Sequence, residues 1–422
     1  MITKLTSLRS RRNRSRTVMA ALLLPLTITA AWDSLLEVEL PGTVPAEALD
    51  NPGLARTLVN SALGRFECAY TSYVITTGVL ANEFINASTW LNLNTWGWKG
   101  VELYDIAGGC PAGRDATDIG AYTPLQQARY LAEEGARKIE SFADADVPTK
   151  SEFLAQLYAY AGYATLLLGE GFCEMAFDLG PLTPLNEVYA RAEERFTKAI
   201  THAQAANNRN LELLATAGRA RARLDKKDMA GAAADAEKIP EGFVWNAEYS
   251  TVNGIRENRV FNLNRRNRYL SVEPTAYANQ RIGTVADTRL NVTDSGLRGH
   301  DDQTRFWFQN KYSSAAAPIP MASWFEAQLI IAEARPAEAL AAVNRVRAKQ
   351  NLPLVTSAPD PLALVIEERR RQLFAEGHRL NDMLRHKIPF PSGFNHKGQA
   401  WGPITCMPLP SVEKLNNPNL QS

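Results

Sequence analysis

The sequence predicts a mainly α-helical fold in which paired helices support two long, loop-rich insertions. Alanine is abundant, most of all in the middle third of the 422-residue chain, and runs of β-branched residues are scarce. This composition favours helices over sheet. Apolar residues recur at helical spacing in many segments that short turns separate. Residues 78–122 and 242–318 do not follow this spacing and are rich in Asn and aromatic residues, so we expect them to be loops.

The overall composition limits the classes of function. A hydrophobic fraction of 45% is enough for a sizeable core, and 422 residues could form one large domain or two ordinary ones. The formal net charge of +1 argues against a nucleic-acid-binding protein, which usually has a basic face. We therefore expect a globular protein that does not bind nucleic acid.

The first 31 residues are predicted to be a signal peptide. A basic leader between Lys4 and Arg16 precedes the apolar run 18–31. This run is too short to span a bilayer comfortably, but it suits the core of a signal peptide. Two alternatives remain, a basic amphipathic start and a short membrane anchor that is never cleaved. The signal-peptide interpretation predicts export.

Helical spacing defines the scaffold. The predicted helices cover residues 54–77, 123–143, 151–168, 185–206, 210–224, 228–239, 322–335, 336–350 and 365–385. Ala159, Ala161, Gly162 and Ala164 give one helix a face that a neighbour can approach closely. Helix pairs joined by short turns are typical of tetratricopeptide-type hairpins. The alternative is an ordinary α-bundle without repeat ancestry.

The four cysteines are Cys68, Cys110, Cys173 and Cys406. They form no CxxC motif, which argues against a zinc ribbon. In an oxidising compartment an even number of cysteines suggests disulfides, and three pairings are then open. We favour Cys68–Cys110 with Cys173–Cys406. The alternative is buried free thiols, which behave as small apolar side chains.

The segment 365–385 has the most ordered pattern of polarity in the chain. From Leu373 onward its apolar residues suit one helix face, and Glu367 is spaced to pair with Arg370 one turn later. Periodicity alone fits a solvated face whose salt bridges contribute little. Gly377 interrupts this helix, and a proline-rich tail over 407–420 follows it.

This segment and its tail resemble the C-terminal signature of the SusD/RagB family of nutrient-binding outer-membrane proteins. The matching positions follow the pattern ER…L..EG.R..D.LR and then PLP…E…NPN. They are Glu368, Arg369, Leu373, Glu376, Gly377, Arg379, Asp382, Leu384, Arg385, Pro408, Pro410, Glu413, Asn417, Pro418 and Asn419. The helices at 322–335 and 336–350 are similar to two further family helices. The resemblance implies that 32–422 form one SusD-like domain.

Three positions depart from the family pattern. His378 stands where a small or polar residue is usual, and Ser323 stands where an Arg is usual. Trp32 occupies the place of the Cys that carries a lipid in most members, and no Cys precedes Cys68. The resemblance implies an exported protein at the outer membrane, the cell surface or in the periplasm. Either cleavage after Ala31 releases a soluble periplasmic or secreted form, or this chain carries a substitution at its anchor. Membrane association through a lipid is therefore in doubt.

The resemblance implies a non-catalytic function. Family members capture a glycan or another nutrient at the outer membrane and deliver it to a SusC-type TonB-dependent transporter, with no cofactor and no metal. One alternative is a periplasmic helical-repeat scaffold that binds proteins only. Another is a carbohydrate-active hydrolase, but the chain lacks HExxH, GxSxG and P-loop motifs and shows no sign of a facing carboxylate pair.

The candidate ligand site lies mainly in the insertion at 78–122. Sugars stack their C–H faces on aromatic rings and bind amides and carboxylates through their hydroxyls. The candidates are aromatic platforms and polar neighbours, namely Trp90, Trp96, Trp98, Asn82, Glu83, Asn94, Trp307 and Tyr312. The alternative for each Trp is a core residue that closes its loop onto the helices.

Overall fold

The structure is a computed structural model that describes residues 49–102, 106–110 and 117–421. The predicted signal peptide and Trp32 lie outside the described residues. Within the described part, no helix combines the length and apolar character needed to cross a membrane.

Helices dominate the described part of the chain, as the sequence predicts. They are α1 (Ala55–Leu80), α2 (Leu91–Gly97), α3 (Tyr122–Ser141), α4 (Lys150–Gly171), α5 (Leu185–Ala205), α6 (Arg209–Asp225), α7 (Met229–Ala236), α8 (Arg259–Phe261), α9 (Pro274–Tyr277), α10 (Trp324–Ala334), α11 (Ala339–Lys349), α12 (Pro361–Gln372), α13 (Arg379–Arg385) and α14 (Ser411–Asn416). Short strands lie between them.

The strands form four antiparallel pairs within the described residues: β1 with β3, β2 with β8, β4 with β5 and β6 with β7. They are β1 (Phe84–Asn86), β2 (Val244–Ala247), β3 (Leu270–Val272), β4 (Arg281–Ile282), β5 (Val285–Ala286), β6 (Val292–Arg298), β7 (Arg305–Gln309) and β8 (Ile319–Ser323). The pair β1–β3 joins the two insertions, because β1 belongs to 78–122 and β3 to 242–318.

Helices α3 to α7 form a stack in which each helix packs on the next. The buried ring of Phe196 on α5 lies between two glycines. A Cβ atom would lie 2.7 Å from this ring at Gly162 of α4 and 2.4 Å from it at Gly218 of α6. Only a residue without a side chain allows this approach, since protein interiors are close-packed. The predicted paired-helix scaffold is confirmed.

Two disulfides connect the scaffold to its loops. The structure pairs Cys68 with Cys110 and Cys173 with Cys406, which are the pairings that we favoured from the sequence. The second bond fixes the proline-rich tail to the end of α4. There the Met407 N–H donates to the Gly171 carbonyl over 2.9 Å.

The charged C-terminal signature is buried, so its interpretation as a solvated helix face is wrong. Glu368 is fully buried, and Arg369 and Asp382 are 2% and 1% exposed. Arg369 Nε lies 2.9 Å from Asp382 Oδ1 and thereby ties α12 to α13. The turn between these helices needs Gly377, which has φ +85° and lies against the Tyr73 ring. These charges therefore connect interior helices.

Candidate functional site

An exposed aromatic platform lies where the two insertions meet. Trp90 directly precedes α2 and is 44% exposed. Its ring stacks on His300, with centroids 6.2 Å apart, and meets the edge of Tyr269 at 6.3 Å. Tyr269 and His300 also pack edge to face at 5.0 Å. Two neighbours therefore hold the Trp90 ring while much of it stays open to solvent.

Backbone hydrogen bonds bring the platform residues together from distant parts of the chain. The Ala87 N–H donates to the Tyr269 carbonyl over 2.8 Å, and the Asp301 N–H donates to the Ala87 carbonyl over 3.1 Å. The first bond extends the β1–β3 pairing beyond Asn86, and the second joins Ala87 to the connection between β6 and β7. Because backbone geometry sets the arrangement, the Trp90 ring is positioned before any ligand arrives.

A polar cavity of about 330 Å³ adjoins the platform. We call it the Trp90 pocket, since Thr89 and Asp301, which line it, are the chain neighbours of Trp90 and His300. Its lining residues are Ser88, Thr89, Asn94, Asp301, Gln303, Lys397 and Gln399. Hydroxyl, amide, carboxylate and ammonium groups thus surround a space beside an exposed aromatic ring. This combination suits a sugar, which has apolar C–H faces and hydroxyl edges.

Asn86 is the buried centre that positions one wall of the pocket. Its Nδ2 donates to Asn94 Oδ1 over 3.1 Å, and its Oδ1 accepts from Ser88 N–H at 3.0 Å. Its carbonyl oxygen lies 2.8 Å from His396 Nε2. Because Asn86 is 1% exposed, these contacts are shielded from water and fix the lining side chains.

A carboxylate and an ammonium group also line the pocket. Lys397 Nζ lies 2.7 Å from Asp301 Oδ2 and donates to the Ser88 carbonyl over 2.8 Å. Burial alone would raise the pKa of Asp301. Hydrogen bonds from Lys397 and from the Thr304 backbone and hydroxyl outweigh burial and hold that pKa well below its ordinary value. Asp301 is therefore ionised at neutral pH, where it accepts hydrogen bonds and has no proton to donate.

Two of the predicted ligand residues belong to this site. Asn94 lines the Trp90 pocket, whereas Trp90 is the chain neighbour of the lining residue Thr89 and supplies the exposed ring beside the pocket without lining it. The α2 helix relates them, since the Asn94 N–H donates to the Trp90 carbonyl over 2.9 Å. The sequence prediction did not contain this helix.

Three other predicted ligand residues are interior residues, which corrects their assignment as surface contacts. Trp96 and Glu83 are each 1% exposed and Tyr312 is 2% exposed. The Tyr312 hydroxyl donates to the Ala375 carbonyl over 2.9 Å, and Glu83 Oε1 accepts from the Ala375 N–H at 3.1 Å. Tyr312 and Glu83 therefore hold the insertions onto the turn between α12 and α13, and all three side chains offer a ligand almost no surface.

The last three predicted residues, Trp98, Asn82 and Trp307, are half-buried. Trp98 lies against Gly100, where an added Cβ would meet its ring. Asn82 Oδ1 accepts from Lys99 Nζ at 3.0 Å. Trp307 lies on β7 with the guanidinium of Arg305 at 5.6 Å from its ring centroid. None of the three lines the Trp90 pocket in the described part of the chain.

The buried carboxyl of Glu83 should make stability depend on pH. Burial raises its pKa to about 7 from the ordinary 4.5. Between these values the folded protein binds more protons than the unfolded chain, so the free energy of unfolding falls as pH rises. Between about pH 5 and about pH 8 we expect the free energy of unfolding to fall by about 1–3 kcal/mol less in Glu83→Gln than in the wild type. Urea unfolding at the two pH values measures this difference.

The matched control for this experiment is Glu187→Gln on the exposed side of α5, which should change stability equally at both pH values. If Glu83→Gln also shifts stability equally at both pH values, the buried carboxyl does not titrate in this range.

Sequence reasoning missed most of the pocket. His300, Asp301, Lys397 and Gln399 come from segments that carry no recognised motif, and Thr89 and His300 are 211 positions apart. The one local signal is the pair Gly393 and Gly398, both with positive φ, which marks the turns of the loop carrying Lys397. Among the described residues, no cluster of His, Cys, Asp and Glu could hold a metal ion.

The fold is similar to solved structures with little sequence identity to this chain. A SusD-like carbohydrate-binding protein from Bacteroides vulgatus superposes with a TM-score of 0.64 at 14% identity, covering 88% of this chain and 97% of that chain. A laminarin-binding SusD-like protein gives 0.62 at 14% identity, covering 86% and 98%. A SusD-like protein from Bacteroides fragilis gives 0.65 at 13% identity, covering 89% and 97%.

No protein-family model matches the sequence, and no curated protein matches it either. At this level of identity, the likeness to the solved structures concerns the fold alone.

Proposed function

We propose that this chain, which has the SusD-like fold, captures a glycan and leaves it chemically unchanged. The observation that carries the proposal is the Trp90 ring, which is 44% exposed and adjoins a polar pocket of about 330 Å³. Affinity would come from stacking on Trp90, and orientation from hydrogen bonds to Asn94, Gln399 and Asp301.

The chemistry of the pocket supports binding over hydrolysis. A glycosidase usually needs two carboxyl groups on opposite sides of the scissile bond, one of them protonated. Among the described residues that line the Trp90 pocket, Asp301 is the one carboxylate, and its low pKa keeps it ionised. Two of the similar structures are described as a carbohydrate-binding and a laminarin-binding protein.

The same proposal includes delivery of the glycan to a SusC-type TonB-dependent transporter at the outer membrane. Its support is the basic leader and apolar run of residues 1–31 together with the C-terminal signature. Co-purification with a barrel-type transporter from native membranes would support delivery, whereas binding of periplasmic proteins alone would favour the scaffold alternative.

Titration calorimetry against a panel of soluble glycans, with laminarin first, tests the binding activity. We expect saturable binding of at least one glycan and no release of reducing ends on long incubation. Release of reducing ends would favour the hydrolase alternative. Absence of binding to every glycan in the panel would argue against a glycan ligand.

A further inference from the structure

A second cavity lies apart from the Trp90 pocket and shares none of its lining residues. It measures about 690 Å³ and lies between the β2–β8 strand pair, the start of β6 and the helices α10 and α12. This volume falls in the range of about 300–1,000 Å³ that is usual for small-molecule sites. The proposed glycan capture leaves this cavity unexplained.

One side of the cavity is apolar and aromatic. Phe243 and Phe325 are half-buried, and Val244 at the mouth is 49% exposed. Phe325 packs edge to face on Trp324, with ring centroids 5.4 Å apart. The aromatic side chains that line the cavity therefore give this side an apolar surface on which a flat ring could stack.

Most of the other lining residues are polar or charged, and one of their atoms lacks a hydrogen-bond partner among the described residues. Gln372 Oε1 is buried and accepts no hydrogen bond from any residue that the structure describes. Buried carbonyl oxygens normally accept a hydrogen bond, so a ligand that donates one would satisfy this atom. Lys311 Nζ lies 2.5 Å from Glu376 Oε1 and donates to the Phe374 carbonyl over 2.8 Å. These two contacts use two of its three hydrogens and leave one for a ligand acceptor.

We propose that this cavity is a second ligand site, for a small molecule with a flat apolar ring, a hydroxyl donor and an acceptor oxygen. The ring stacks on Phe325, the hydroxyl donates to Gln372 Oε1, and Lys311 donates to the acceptor. Hydroxylated aromatic compounds have this chemistry. A sugar without an aromatic group would leave the apolar side of the cavity uncovered.

The probe for the test is 4-methylumbelliferone, which combines a flat bicyclic ring with one phenolic hydroxyl and one carbonyl. Its fluorescence anisotropy is followed during titration with the full protein, at a pH where the phenol is neutral. We expect saturable binding that Phe325→Ala weakens by about tenfold or more and Gln372→Leu by about fivefold or more. Trp90→Ala should leave probe binding unchanged.

Val244→Arg is a second variant for the case in which Phe325→Ala or Gln372→Leu misfolds. Val244 is exposed, so its substitution should not disturb the core, and the arginine places bulk and charge at the mouth of the cavity. It should also weaken the probe by about tenfold. Absence of saturable binding to the wild type, or binding that Val244→Arg and Gln372→Leu leave intact, would overturn the proposal. Because the glycan is measured separately, failure here does not affect the function proposed for the Trp90 pocket.

Discussion

Trp90→Ala is expected to weaken binding of the captured glycan by about 10- to 100-fold, which corresponds to about 1.4–2.8 kcal/mol. The ring is the exposed aromatic surface beside the Trp90 pocket, and its neighbours His300 and Tyr269 hold it in place. Truncation removes the stacking surface while the polar lining remains. Calorimetry with the best glycan from the panel measures the loss, and Trp90→Phe should restore part of the affinity.

The matched control is Tyr130→Ala on α3, which removes another exposed aromatic side chain outside the pocket. It should leave glycan affinity unchanged. Thermal unfolding of both variants separates lost affinity from lost structure. Equal affinities of Trp90→Ala and the wild type would show that glycan capture does not depend on the platform.

Arg221→Met is expected to lower the free energy of unfolding by about 3–5 kcal/mol. Arg221 of α6 is 3% exposed, and its Nε donates to Glu170 Oε1 over 2.6 Å. Glu326 Oε1 lies 3.7 Å from the same nitrogen. Removing the guanidinium leaves two buried carboxyl groups without their shared cation. Burial raises the pKa of both carboxyl groups and the attraction of Arg221 lowers it, so the variant loses the cation that favours their ionised forms.

Two further variants separate this buried charge effect from the loss of an Arg side chain. Adding Glu170→Gln to Arg221→Met should recover part of the lost stability, because a neutral amide then replaces one unpaired carboxyl group. Arg137→Met on α3 removes a guanidinium that pairs with Glu134 at the surface, and it should change stability little. Urea unfolding that found the same loss for Arg137→Met and Arg221→Met would contradict the assignment.

The parts of the fold that depend on local pattern could be predicted from the sequence. Helical periodicity placed one helix at 185–206, and the structure has Leu185–Ala205. The glycine at 162 indicated close helix packing, which the Phe196 ring confirms. The C-terminal signature predicted a SusD-like fold, and the similarity to solved structures confirms it.

The depth of individual side chains could not be predicted in the same way. Trp90 and Trp96 lie in the same Asn-rich stretch, but the helix between them places one at the surface and the other in the core. The signature charges likewise have the same spacing whether they face water or other helices. Arg369 is buried because Asp382 and Glu333 from neighbouring elements compensate its charge, and such partners are invisible to periodicity.

The candidate site depends on contacts between residues far apart in the chain. His300 supports Trp90 from 210 positions away, and Lys397 meets Asp301 from another loop. Strand pairing between the two insertions creates this neighbourhood. A single sequence contains each loop but not their register, so it offered Trp90 as one candidate among several and could not show which residues surround it.

A crystal structure of the protein with its best-binding glycan tests the central claim most directly. We expect a sugar ring stacked on the Trp90 indole, with its hydroxyls hydrogen-bonded to Asn94, Gln399 or Asp301. The glycosidic bonds of the glycan should be intact. A glycan bound on the α3–α7 stack or in the cavity beside Phe325, with the Trp90 face still open to solvent, would contradict it.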